Sequence, residues 1–405
     1  MALEFKDAKN DAVIVAGVRT PIGAFRGKLS KLTAPQLGGV VIGELIKRTS
    51  IEPGIIDEVV MGNVLSAGLG QHPARQAAIN GGIPVEVPAF GVNKVCGSGL
   101  KAVMLGSQAI RAGDIYISIA GGMESMSRAP YILGNARDGY VLGDGKILDS
   151  MVHDGLWDAY HDMHMGCTGD LIAQEYGITR EEQDKWALRS NELAVKAIKS
   201  GAFKEEIVPV SIAGGSIKKP EIEIVSEDES PREDTTLEKL SKLRPAFTPN
   251  GTVTAGNASK INDGAAALLL MSRERAESLG YKPMAVVRAY ASAGVEPRRA
   301  MAAPIVTVRK LLSRVNGKIE DIDLFEINEA FASQTLAAIK ELSIPPEKTN
   351  INGGAIALGH PIGASGARIL VTLLYAMKSR KVRYGIATLC IGGGNGVAIL
   401  VENYE

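Results

Sequence analysis

Short apolar runs alternate with stretches of helical spacing along most of this chain, and glycines stand at the joints between them. The runs 12–16, 57–63, 90–95, 115–120, 265–271, 283–289, 322–327 and 384–389 read as buried strands bounded by turn residues. Segments 33–47, 73–80, 100–112 and 364–377 carry apolar residues at helical intervals. Strands that alternate with helices belong in a parallel or mixed sheet covered on both faces, so the fold class is α/β. At 405 residues the chain has material for about two to three domains.

The sharpest joint is Asn93-Lys94-Val95-Cys96-Gly97-Ser98-Gly99-Leu100-Lys101. An apolar run stops there, and Leu100, Val103, Met104 and Ile110 follow at helical spacing. The first N–H groups of a helix are unpaired and its dipole favours negative charge, so this corner is expected to hold Cys96 as a thiolate. Gly97 and Gly99 permit a tight backbone and let an acyl group come close. The competing reading is an inert core cysteine, because free Cys commonly packs as a small hydrophobe.

Forty-five Lys and Arg balance forty-five Asp and Glu, so nothing predicts a general affinity for nucleic acid or an anionic membrane. Three cysteines, Cys96, Cys167 and Cys390, make no disulfide framework and suit a reducing compartment. The first ten residues hold Glu4 and Asp7, no arginine and no apolar core, unlike a secretory signal or a mitochondrial transit peptide. No apolar stretch approaches the length of a bilayer span. A soluble cytoplasmic protein is expected.

Between about 131 and 252 the texture changes: both tryptophans appear, charge rises, and strand patterns are scarce, as in an inserted cap. Thr179 and Glu182 form a capping box for a helix ending near Gly201, and Thr235 with Glu238 repeats the signal. The acidic run 226–234 reads as a solvated turn. The α/β pattern resumes after Asn262-Asp263-Gly264. A faint repeat links Ser98-Gly99, opening a helix before a strand ending at Gly121-Gly122, with Ser365-Gly366 and Gly392-Gly393.

Taken singly, Cys390 fits a structural role, His360 a core histidine, and Gly392 to Gly394 a weak phosphate loop lacking the Walker lysine. Together, two of three cysteines and one of five histidines lie beside glycines at strand or helix ends, where catalytic groups collect in open α/β sheets. His161, His164 and Cys167, with His153 and Asp162 nearby, offer zinc-type ligands. Their spacing matches no common zinc pattern, so a substrate-contacting loop is the preferred reading and no metal is expected.

Asn93-Lys94-Val95-Cys96, Gly122-Met123-Glu124-Ser125-Met126, Asn328-Glu329-Ala330-Phe331, the run from Gly353 through Gly359-His360-Pro361 to Gly366, and Cys390-Ile391-Gly392-Gly393-Gly394 together resemble the thiolase family, in its acetyl-CoA acetyltransferase branch. With Arg19-Thr20-Pro21 and residues 251–259 the resemblance covers nearly the whole chain. It implies two βαβαβαββ halves in a five-layer αβαβα sandwich. Residues 1–130, completed by about 253–282, would form the first half, 131–252 a coenzyme A-binding loop domain, and 283–405 the second half. A homotetramer is implied as well.

By the same resemblance, Cys96 is the nucleophile that takes an acyl group from a thioester and His360 is the base that activates it. Cys390 exchanges a proton with the acetyl methyl carbon. Asn328 positions a water that forms one oxyanion hole with His360, and the backbone N–H groups of Cys96 and Gly392 form the other. The chemistry is coherent, since a thiol nucleophile keeps the acyl group at thioester reactivity, and carbon deprotonation needs both a base and a place for enolate charge. Coenzyme A contacts are implied at His164, Met165, Arg232, Phe247 and Ser259, with Ala330 and Phe331 shaping the acyl end. Read without the resemblance, Arg232 fits a solvated arginine and Ser259 a turn.

Three positions depart from the family pattern or tolerate variation. Lys260 stands where many relatives have a small residue, Asn191 stands where potassium-activated members have tyrosine, and Cys167 has no assigned role. The implied activity joins two acetyl-CoA into acetoacetyl-CoA and coenzyme A, or the reverse, with no cofactor. The alternatives are a 3-ketoacyl-CoA thiolase of broader range and a non-catalytic acyl or lipid carrier. Related synthases of the fold use other residues at the second corner, so Cys390 argues against them.

Overall fold

A computed structural model describes residues 3, 5, 7–216 and 219–404; Glu4 of the N-terminal reading lies outside them. Among the described residues, the main sheet runs in space as Leu324–Ile327, Tyr384–Ile391, Asn395–Asn403, Ala285–Gly294, Ala12–Arg19, Asn262–Ser272, Ile117–Ser125, Glu58–Gly62 and Ala89–Val92, with Gly23–Ala24 added to Asn262–Ser272. Two pairs, Val13 with Val286 and Ile14 with Ala285, join its halves. Each half has the same order outward from this seam: its first strand, its last, then its second-to-last.

Alternation along the strands assigns the layers. Val13, Val59, Ile119, Leu269 and Met271 face the helices Ala34–Thr49 and Pro73–Asn80. Their neighbours Ile14, Val60, Ala120, Leu268 and Leu270 face inward. Leu389, Val397, Ile399 and Val401 of the second half face the same interior, which the helices Ser98–Ala112 and Ile362–Arg380 fill. The opposite face of the second half, with Phe325, Ile386 and Leu400, packs on Ala303–Arg314 and Ala332–Leu342. Helix, sheet, helix, sheet, helix make five layers.

The central helices touch through glycine. A Cβ on Gly99 would lie 2.9 Å from the Ala367 nitrogen, and one on Gly366 would lie 2.5 Å from the Leu100 nitrogen. This contact between the two repeat-equivalent helices draws the loops bearing Cys96 and His360 together.

Several sequence readings need correction. Ile117–Ser125 runs straight through Gly121 and Gly122 instead of stopping there. Both glycines serve close packing, since added Cβ atoms would meet carbonyl oxygens of Ala266 at 2.2 Å and Gly363 at 2.1 Å. A further strand, Asn395–Asn403, follows Tyr384–Ile391. A hairpin, Val210–Ser216 with Lys219–Val225, lies in the region read as poor in strands. Thr236, not Thr235, caps the helix Leu237–Ser241. The 226–234 segment is not wholly solvated. Asp228 is buried and grips Arg19 at 2.7 and 2.9 Å, while Glu206 takes the third guanidinium contact at 2.6 Å. A fully buried arginine requires such countercharges.

Candidate active site

The parallel strands Leu324–Ile327 and Tyr384–Ile391 end side by side, Ile327 opposite Thr388, and so deliver Asn328 and Cys390 to one place. Past Ile391, Gly393 and Gly394 take φ of 79° and 81°, a turn that leads into Asn395–Asn403. This turn presents the Gly392 N–H. The Cys96 corner leans on the same strand: a Cβ at Gly97 would lie 2.4 Å from Ile391 Cδ1.

The expected strain at the Cys96 corner falls elsewhere. Gly97 has φ −81°, whereas Val95 has φ +46°, an outlier for a β-branched residue that costs about 1–3 kcal/mol. Three bonds hold it. Val95 N–H donates to Asn93 Oδ1 at 3.0 Å, Lys94 N–H to Ser98 Oγ at 2.9 Å, and Ser98 Oγ–H to the Val95 carbonyl at 2.6 Å.

Cys96 is half-buried, and the N–H groups of Gly392 and of Cys96 itself reach its sulfur. These donors favour a thiolate, yet burial outweighs them and, with Glu124 adding repulsion, pushes the thiol up to about 12. The thiolate expected at the helix start is therefore a thiol at rest. Cys390 is 1% exposed with its sulfur 3.6 Å from Met301 Sδ. Burial first, and Cys96 second, push its thiol up as well.

His360 sits between the short helix Ala355–Leu358 and Ile362–Arg380. Gly359, at φ +114°, leaves no room for a Cβ, which would lie 2.3 Å from the Asn262 amide. The His360 N–H donates to Asn262 Oδ1 at 3.0 Å and to the Lys260 carbonyl at 3.2 Å. Its ring lies between Ser365 Oγ, 2.6 Å from Nδ1, and Asn328 Nδ2, 3.4 Å from Nε2. Burial, helped by Arg368, pulls the imidazole down to about 3, so it is neutral at ordinary pH. Asn328 Oδ1 is buried without a protein partner among the described residues, which suits an acceptor for ordered water.

One cavity of about 250 Å³ is bounded by Cys96, His360, Cys390 and Gly392, and by His164, Met165, Phe247, Ser259, Ala330 and Phe331. Its aromatic wall is built: the His164 ring stacks on Phe247 at 4.6 Å, and Phe247 meets Phe331 edge-on at 6.1 Å. His164 Nδ1 accepts from Gly166 N–H at 3.0 Å, and burial lowers its pKa, so the wall is uncharged. Ser259 N–H donates to the Ala330 carbonyl at 2.9 Å. Asn328 stands behind His360.

Arg232 is apart from the others. It is exposed and borders a separate cleft of about 520 Å³ along the helix Arg180–Ser200, its N–H held by Asn191 Oδ1 at 3.0 Å. His161 turns to Asp158 at 2.9 Å and Glu296 at 3.3 Å, away from any shared site with His164 and Cys167.

The two halves match family profiles described as thiolase, N-terminal domain, over residues 12–274 and thiolase, C-terminal domain, over 281–403. The chain belongs to the thiolase family. It is 53% identical to the acetyl-CoA acetyltransferase of Pseudomonas aeruginosa, over 96% of this chain and 98% of that one. It is also 53% identical to the enzyme of the same name from Cupriavidus necator, over 97% and 99%. The crystal structure of the Bacillus anthracis acetyl-CoA acetyltransferase superposes with a TM-score of 0.94 at 44% identity, covering 99% of each chain.

In this thiolase chain, residues without a role in the sequence reading brace the segments around the cavity. Glu124 is fully buried and accepts from Asn63 Nδ2 at 2.8 Å and from the N–H groups of Val64, Leu65 and Gly363 at 3.1, 3.2 and 2.9 Å. It ties the start of Ile362–Arg380 to the first half, and burial lifts its pKa to about 7. Lys260 Nζ donates to the Ser230 carbonyl and, at 3.5 Å, to that of Ala357, while burial, then Arg232, lower it to about 8. Ser365 was legible only as a helix opening; its spacing of five from His360 was the available signal.

Proposed function

We propose that the chain is an acetyl-CoA C-acetyltransferase, which joins two acetyl-CoA into acetoacetyl-CoA and coenzyme A and runs the reverse thiolysis. The observation that carries this reading is the meeting of two thiols, one neutral imidazole and the Gly392 N–H at a single cavity. Full-length similarity to enzymes named for this activity supports it.

Cys96 attacks the thioester carbonyl and gives its proton to His360. The negative oxygen is met by the N–H groups of Cys96 and Gly392. Coenzyme A leaves as its thiol, taking the proton from His360. In the condensation half, Cys390 passes its proton to the neutral His360 and, as the thiolate, removes a methyl proton from the second acetyl-CoA. The enolate oxygen is held by the protonated His360 and a water on Asn328; its carbon attacks the acyl-Cys96, the bond to the Cys96 sulfur breaks, and that sulfur takes the proton back from His360. In this reading neither metal nor cofactor takes part. Residues 131–252 act as the coenzyme A-binding loop domain between halves 1–130 with 253–282 and 283–405. The wall of His164, Met165, Phe247 and Ser259 accepts pantetheine, and Arg232 reaches the nucleotide from outside the cavity. Ala330 and Phe331 limit the acyl end.

A cytoplasmic homotetramer is part of the proposal. Val141 and Leu142 are 95% and 99% exposed, with Tyr131 and Ile147 also uncovered, an apolar loop suited to a subunit contact. Among the described residues no helix is long and apolar enough to cross a membrane.

The test is thiolysis of acetoacetyl-CoA against a longer 3-ketoacyl-CoA, with light scattering of the same sample. Preference for the four-carbon substrate by a tetramer is expected. Equal rates point to the broader thiolase, and an absence of turnover in folded protein to the carrier.

A further inference from the structure

Cys96 reaches the cavity from a turn that its own sequence resists. Gly97 N–H donates to the Lys94 carbonyl at 3.0 Å, which closes a β-turn with Val95 and Cys96 at its centre. Of the two, only Val95 has positive φ, at +46°, and turns of that kind are dominated by glycine there. A β-branched residue is strained in this region, so the turn needs a clasp. Ser98 supplies one. Its Oγ accepts the Lys94 N–H at 2.9 Å and lies 2.6 Å from the Val95 carbonyl, so a single hydroxyl spans the strained residue. Asn93 Oδ1 takes the Val95 N–H at 3.0 Å. Ser98 is fully buried, and a Cβ on Gly62 would lie 2.7 Å from its own Cβ, so the strand Glu58–Gly62 leaves it no slack. The helix Ser98–Ala112 has no side-chain cap at its start, and the hydroxyl faces back to the turn instead. In this state the Gly392 N–H reaches the Cys96 sulfur, and Val95 lies against Gly392, its Cγ1 3.6 Å from where a Cβ would be.

We propose that Ser98 is a positioning residue for the nucleophile: its hydroxyl holds Val95 at positive φ and so keeps the Cys96 sulfur beside the Gly392 N–H. The role rests on the acyl-transfer reading above. Cys96 lies in the N-terminal thiolase domain and Gly392 in the C-terminal one, so their two N–H groups meet one thioester oxygen only while the turn stands. When Val95 returns to negative φ, the turn opens and Cys96 leaves the Gly392 N–H. The aromatic wall of His164, Phe247 and Phe331 is built from other segments and keeps its shape. Loss of the clasp therefore lowers the rate of acylation and spares the affinity for coenzyme A. The step itself is unaltered: the Cys96 sulfur bonds to the thioester carbon, the thiol proton passes to His360, and the departing coenzyme A sulfur takes that proton as its bond to carbon breaks.

The experiment is a double-mutant cycle on the full chain. Rapid-quench mass spectrometry at saturating acetyl-CoA reads acylation of Cys96, and calorimetric titration with coenzyme A reads affinity. Ser98→Ala is expected to acylate about 5- to 150-fold more slowly than wild type, the population factor of such backbone strain, with affinity within about twofold. Glycine takes positive φ without steric cost, so where Val95→Gly is already present the same Ser98→Ala change should slow acylation by less than about threefold. General damage to the fold would instead slow both backgrounds alike and weaken coenzyme A binding with them. Ser98→Ala acylation within about threefold of wild type overturns the proposal, as does a further loss of more than about threefold in the Val95→Gly background, or a loss of affinity that matches the loss of rate. Where Ser98→Ala does not fold, the double variant measured against Val95→Gly decides alone, and one that is unfolded or more than about threefold slower overturns the proposal. Acylation that persists in Cys96→Ala refutes the acyl-transfer reading instead. The Val95 φ in a crystal structure of Ser98→Ala, negative if the clasp is real and still positive if it is not, then decides what Ser98 does.

Discussion

The two cysteine corners begin alike and end differently. Cys96 precedes a helix, is half-buried, and has two N–H groups on its sulfur. Cys390 closes a buried strand, has the Met301 thioether beside it, and only its own N–H offsets its burial. In the proposed mechanism the first corner stabilises negative oxygen and sulfur during acyl transfer. The other keeps a protonated thiol in an apolar recess, next to the place where an acyl carbon would sit. A carbon acid is weak, and a base for it works best close, desolvated and paired with oxyanion donors. The halves of a repeat have thus diverged by what surrounds each sulfur.

The difference makes the variants unequal. Cys96→Ala removes the covalent step and should lower turnover by on the order of 10⁴- to 10⁶-fold, measured as thiolysis of acetoacetyl-CoA. Cys390→Ala should lower the same rate by about 10²- to 10⁴-fold, the range for one proton-transfer group, while leaving acylation intact. Equal losses of acylation in both would erase the comparison.

A smaller effect probes the contact between the corners. Gly97→Ala puts a methyl against Ile391 and should cost about 1–3 kcal/mol in denaturant unfolding. Trimming Ile391 to Val in the same chain should recover part of it, and a strictly additive loss would show that the corners do not press on each other. The mildest effect is in pH. Because burial holds the Cys96 proton up to about 12, alkylation should rise about tenfold per unit between roughly pH 7 and 10, against an ordinary thiol near 8.5, without a neutral plateau. By linkage, a thiol pKa raised on folding gives stability that is complete below about 8.5 and is lost as pH climbs toward about 12. A plateau near pH 7 would instead mean a resting thiolate.

Much of the fold was legible because strand and helix periods are local. Pro73–Asn80 and the Thr179–Glu182 box match the sequence reading closely. Gly121 and Gly122 misled because a glycine that ends a strand and one that admits another backbone look the same in sequence. The hairpin of Val210–Ser216 with Lys219–Val225 was missed because half its apolar residues, Ile222 and Ile224 among them, face outward. Cys96, His360 and Cys390, singled out through their glycine-rich motifs, line one cavity. The thiol state at Cys96 was misjudged because a helix start is local, whereas the burial that outweighs it comes from distant segments. Ser365 and Glu124 act through bonds to partners that no spacing rule joins.

The most direct measurement is peptide mapping by mass spectrometry of Cys390→Ala after exposure to acetyl-CoA, beside Cys96→Ala. One acetyl group is expected on the Cys96 peptide of Cys390→Ala, with no acetoacetyl-CoA formed above the residual rate, and no adduct in Cys96→Ala. An acetyl group on another residue, or condensation by Cys390→Ala at the wild-type rate, would contradict the division of labour between the two sulfurs.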